Sequence, residues 1–207
     1  MDVATIITLS VSLFFILDPF ASLPVFLSIT KGLDDKVIKS YANKSILVAA
    51  ILLFVFMFVG PNLMDIFGTT MESFRVAGGL ILILMSMEII FGLNMYKLGG
   101  EKGAAWIIIA TPILTGPGVI TASVIFSNEY GILPVIVAGI IALTFVWMVL
   151  RGAPIIMKYV GEHTINILSK IIGLLIAAMG VEYVFRGTLE WIQNYGSEAL
   201  STIIPLL

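Results

Sequence analysis

Asp18-Pro19-Phe20-Ala21-Ser22-Leu23-Pro24 interrupts one long apolar run of this 207-residue chain, and Thr111-Pro112-Ile113-Leu114-Thr115-Gly116-Pro117-Gly118 interrupts another. In each, two prolines stand five positions apart. Proline has no amide hydrogen to donate and its ring crowds the carbonyl four residues earlier, so the segments predict unwound backbone from Asp18 to Pro24 and from Thr111 to Gly118. Unwound backbone inside hydrocarbon persists only around protein or a wet cavity. Each break ends one half-helix in free carbonyls and starts the next with free N–H groups, and proline suits the restarting turn. N-terminal ends favour an anion, and freed carbonyls favour an ammonium or a cation, so two opposed breaks at one depth suit a small zwitterion. The candidate binding residues are Asp18, Pro19, Ala21, Ser22 and Pro24 with Thr111, Pro112, Thr115, Gly116, Pro117 and Gly118. The small ones among them leave room for a ligand to approach the backbone.

The surrounding sequence places both breaks in a membrane. Apolar residues make up 59% of the chain and charged residues 12%, too few to cover a soluble surface. A net charge of −2, carried in loops, gives no footing for nucleic acid. Six stretches approach the roughly 20 residues needed to span the hydrocarbon core: Val3 to Ile29, Ser45 to Leu63, Val76 to Leu93, Ala104 to Ser127, Ile132 to Leu150 and Ile171 to Phe185. The apolar start carries no basic region or cleavage site and is expected to be a retained first span. Of the 11 Lys and Arg, nine fall in the first, third and fifth loops, while Arg75 sits at the edge of the second loop and Arg186 in the C-terminal segment. The positive-inside rule therefore puts the odd loops in the cytoplasm and both termini outside the plasma membrane. Thr188 to Tyr195 is expected to lie along the outer surface as a short interfacial helix.

The two halves correspond. An offset of 93 residues sets the first proline motif against the second and Pro61 against Pro154, and an offset of 95 sets Arg75-Val76-Ala77-Gly78 against Lys170-Ile171-Ile172-Gly173 and Gly92 against Gly187. Three spans per half is an odd number, so the second half enters the bilayer from the opposite side. The expected fold is all-α, with six transmembrane helices as two inverted-topology repeats, residues 1–100 and 101–207, whose first and fourth helices are discontinuous. Gly78, Gly79, Gly173, Ala177 and Gly180 also suit close helix packing.

Asp18 is the acid nearest the middle of a span, where an ionisable group is expensive and functional by default. It is the candidate carrier of a coupling proton. An Asp before Pro is equally an N-cap, as Thr111 before Pro112 would be, and both roles stay open. Glu88 and Glu182 lie nearer span ends and rank second. His163 is alone among loop residues, cysteine is absent, and no cluster suggests a metal or cofactor. No paired acids, Ser-His pair or Walker A loop points to an enzyme or an ATP-driven pump. A passive channel, an exporter of another small metabolite or, further off, an intramembrane enzyme share the same hydropathy.

Asp18-Pro19-x-x-x-x-Pro24 and Thr111-Pro112-x-x-x-Gly116-Pro117-Gly118 resemble the two signature segments of MarC-type membrane proteins, and the likeness covers nearly the whole chain. The family's first motif commonly reads Asp-Pro-Phe-Gly-Asn-x-x-Pro. Here Ala21 and Ser22 replace Gly and Asn, which removes any binding role of that Asn side chain. The family was once linked by name to multiple antibiotic resistance, and its archaeal SnatA branch is described as carrying small neutral amino acids. The resemblance thus implies a secondary transporter of glycine, alanine and serine, coupled to H+ or Na+.

Overall fold

The computed structural model describes residues 2–30, 32–92 and 117–203, leaving aside the side chains of residues 28, 29, 117 and 197–203. Eight helices fill the described residues: α1 (Val3–Leu17), α2 (Pro19–Thr30), α3 (Asp35–Phe67), α4 (Met71–Phe91), α5 (Pro117–Tyr130), α6 (Ile132–Arg151), α7 (Ala153–Val160) and α8 (Glu162–Ile203). Among the described residues, five stretches are long and apolar enough to cross a membrane: α1 running into α2, then α3, α4, α6 and α8. The fourth expected span is represented by α5, and its first part, from Ala104, lies outside the described residues. All-helical architecture is thus found, and five of the six expected spans are seen.

The outside of the bundle is apolar. Val3, Ile7 and Val11 on α1, Leu47, Ile51, Val55 and Phe58 on α3, and Leu80, Leu84, Met87 and Phe91 on α4 are exposed at helical spacing. Those stripes would be an aggregation hazard in water and are what lipid solvates. The centre is α5. From Gly118 to Ser127 every residue except Ile120 is buried. Around it pack Leu9, Leu13 and Leu17 of α1, Leu53 and Met57 of α3, and Val135, Ala138 and Ala142 of α6.

The tightest interface joins α4 to α8. A Cβ on Gly79 would come within 2.5 Å of the Gly180 carbonyl oxygen, and one on Gly180 within 2.7 Å of the Gly79 carbonyl oxygen. Gly187 lies against Glu72 and Val76, and Gly173 against Ile89 and Ile90, so the two helices run antiparallel. Gly173, Gly180 and Gly187 recur every seven residues, which keeps them on one face of α8. Of the small residues singled out for close packing, Gly78, Gly79, Gly173 and Gly180 are used that way.

Some boundaries differ from expectation. No separate interfacial helix forms at Thr188 to Tyr195, because α8 runs unbroken from Glu162 to Ile203 and carries that segment as its continuation. Its 42 residues, about 63 Å at 1.5 Å each, exceed the bilayer core, so charged Glu162 and Lys170 lie toward one end. The fifth loop is likewise mostly helix, with Pro154 in the first turn of α7. Pro61 sits inside α3, which reaches Phe67 and is closed by Gly68 at φ 61°.

Candidate functional site

The first proline motif builds a break one residue wide. Asp18 adopts φ 39°, ψ 67°, the left-handed region that an L-residue enters at a cost of about 1 kcal/mol and that Asp tolerates better than most. Its N–H donates to the Phe15 carbonyl at 3.0 Å and closes α1. Its Oδ1 accepts the N–H of Ala21, the third residue of α2, at 3.2 Å, with Pro19 supplying the first position. Its carbonyl accepts the Ser22 N–H at 3.3 Å and the Ser22 hydroxyl at 3.0 Å. One residue therefore ends one half-helix and starts the next.

Unwinding does not extend to Pro24. That proline lies inside α2, which continues to Thr30, so the expected open stretch from Asp18 to Pro24 contracts to Asp18. The fully buried Leu23 and Phe26 hold α2 against its neighbours and offset the hydrogen bond that Pro24 cannot make. Asp18 is only 4% exposed, and its Oδ2 is buried with no hydrogen-bond partner. Pro19 and Ser22 are buried beside it, while Ala21 and Pro24 are half-buried. The cap role is present, and one carboxylate oxygen is left over from it.

Of the second motif, Pro117 and Gly118 open α5. Gly118 faces α4, where a Cβ would meet Leu82 at 2.7 Å and the Met85 sulfur at 2.8 Å, so packing accounts for its lack of a side chain. Thr111, Pro112, Thr115 and Gly116 lie outside the described residues. Among the lesser candidates, Glu182 pairs with Arg186 at 2.6 Å on the exposed face of α8, Glu88 is half-buried near the end of α4, and His163 is exposed. A groove of about 400 Å³ opens elsewhere, between Glu72, Val76 and Leu80 of α4 and Thr188 and Trp191 of α8, and holds none of the predicted residues.

Sequence reasoning missed Arg75. Placed at a loop edge by charge counting, it lies inside α4 and is 4% exposed. Its Nη2 contacts Glu129 of α5 at 2.8 Å, and its Nη1 donates to both carboxylate oxygens of Glu190 on α8. A local signal was present: Thr70 caps Ser73 at 3.2 Å and acidic Glu72 follows, which starts the helix before Arg75. Its partners, 54 and 115 residues away, have no such signal.

An apolar exterior around a core that holds a half-satisfied carboxylate and a guanidinium paired with two carboxylates defines an integral membrane protein. The chain belongs to the MarC family of integral membrane proteins, whose profile it matches over residues 3–192. It is 30% identical to a UPF0056 membrane protein of Archaeoglobus fulgidus, over 86% of this chain and 90% of that one. It is also 30% identical to one of Methanocaldococcus jannaschii (90% and 97%) and 26% identical to YhcE of Escherichia coli K12 (86% and 88%). No solved structure matches the chain.

Proposed function

We propose that this protein is a secondary active transporter of small neutral amino acids, with glycine, alanine and serine as substrates and H+ as the coupling ion. The observation that carries this reading is Asp18, a mid-span acid with one oxygen committed to capping α2 and the other buried and unpartnered. Such an oxygen can take up a proton without dismantling the cap. The break beside it aims the carbonyls of α1 and the amides of α2 at one place, which suits a zwitterion's two ends. In this reading the second break, Thr111 to Gly118, faces the first across an inverted repeat. The antiparallel pairing of α4 with α8, the third spans of the two halves, supports that symmetry.

The test is uptake of labelled glycine, alanine and serine into vesicles carrying the purified protein, with proton and sodium gradients imposed separately. Accumulation that collapses with a protonophore is expected, and uptake that never exceeds equilibration under either gradient defeats the proposal. Orientation in the plasma membrane is tested by single cysteines. Those at Lys36 and His163 should be shielded from an impermeant reagent in intact cells, and one at Glu72 should label.

A further inference from the structure

We infer that Arg75 is a gating residue, the pivot of an ionic latch that holds shut the Glu72 end of the bundle. The inference rests on the transporter reading for its purpose, though not for its test. Arg75 belongs to the first half of the chain, and both its carboxylate partners, Glu129 and Glu190, belong to the second. A single guanidinium thus pins three helices, α4, α5 and α8, at one end. A buried ion pair is a poor way to gain stability, since apolar residues of like volume often do as well. It is a good way to join surfaces that must part, because each charge has water waiting for it on separation.

Three observations fit a joint that opens. Glu190 keeps a side chain 42% exposed while Glu129 is 19% exposed, so the outer carboxylate is already at the water's edge. Arg75 Nε and the Tyr183 hydroxyl are buried without partners, and the Tyr183 ring of α8 meets Phe126 of α5, three residues before Glu129, edge-on at 6.5 Å. The closed arrangement therefore leaves donors that water would satisfy once it opened. One guanidinium also faces two carboxylates, leaving a surplus negative charge that nearby Glu72, bonded to Asn194 at 2.9 Å, does nothing to relieve. Arg186, also toward this end of α8, is engaged with Glu182.

The latch is tied to the candidate site by α5. That helix starts at Pro117, in the second proline motif, and reaches Glu129 one residue before its end. Its 14 residues span about 20 Å. Against α4 it touches at Gly78, where a Cβ would lie 1.8 Å from the Thr121 methyl, and at Gly118. A ligand that shifts the start of α5 therefore moves Glu129 with it, since a close-packed helix passes on displacement as a rod.

The test uses the chain's lack of cysteine. Thr121→Cys places a thiol on the α5 face toward Gly78, one turn of α4 inward from Arg75. Ser73→Cys, exposed at the same end, identifies that side in sealed vesicles. With an impermeant thiol reagent on that side, Thr121→Cys should be protected in the otherwise native protein. In Glu190→Gln and Glu129→Gln it should label about tenfold faster, equivalent to about 1.4 kcal/mol in the closed-to-open equilibrium. Unchanged labelling in both variants overturns the latch. So does equal acceleration at Ala142→Cys, buried in α6 away from Arg75, because that would be general loosening. The readout needs no transport, so a protein that labels as expected and carries no amino acid retains the latch and loses the transporter reading.

Discussion

The glycine seam between α4 and α8 and the break at Asp18 both sit deep in the same bundle and both depend on unusual backbone, yet they are satisfied to different degrees. Along the glycines of the seam backbone meets backbone: carbonyls of Gly79 and Gly180 stand where a Cβ would go, and Gly173 and Gly187 meet the turns above and below. At the break, three of the groups offered by Asp18 are used and Oδ2 is not. At the glycines the chain spends its small residues on contact, whereas at the break it keeps a polar atom in reserve.

The comparison breaks most readily at the seam. Gly180→Leu should be the most damaging change, because its Cβ meets backbone at 2.7 Å and at 3.0 Å and no flexible side chain can yield. A loss of about 3 kcal/mol or more is expected from overpacking against backbone, seen as loss of a monodisperse peak in detergent. A variant that keeps its unfolding midpoint would show the helices to be free to separate. At the break the reverse pattern is expected. Asp18→Asn retains a good cap, so stability should fall by less than about 1 kcal/mol, while proton-driven accumulation falls at least about tenfold with exchange preserved in part. Undiminished accumulation would leave Asp18 as a cap alone.

Gly116→Val sharpens the comparison from the other motif. If Gly116 sets the space beside the ligand, alanine transport should drop more than glycine transport, and equal loss would give it a role in helix geometry instead. The smallest effect belongs to Ser22→Ala, which removes one hydroxyl bond to the Asp18 carbonyl. That bond is worth about 0.5–1.5 kcal/mol, readable as a small fall in unfolding midpoint with little change in substrate preference.

Much of this could be read from the residues. Long apolar runs announced the spans, and Asp-Pro announced a stop and restart, because a proline that cannot donate and an acid that can cap act locally. Pro24 misled because its cost is met by packing of Leu23 and Phe26, which sequence does not display. The end of α8 misled because Thr188 to Tyr195 has the amphipathic look of an interfacial helix, while no proline or left-handed cap stops the helix before it. Arg75 was hidden for a third reason. A charge near the start of a span reads as a loop marker until its partners, far off in the chain, are placed around it.

The pairing of α4 with α8 also has a consequence in time. Gly79 and Arg75 leave the ribosome long before Gly180 and Glu190, the latter 115 residues behind Arg75. At about 5–20 residues per second, that interval is roughly 6–23 s. For about the first 3–11 s of it, until Glu129 follows 54 residues behind, the guanidinium of a newly made α4 has neither carboxylate partner, and a lone Arg is poorly tolerated in lipid. The cluster around Arg75 is therefore assembled in two instalments, Glu129 first and Glu190 last, and this end of the bundle is complete only when the final helix has been made.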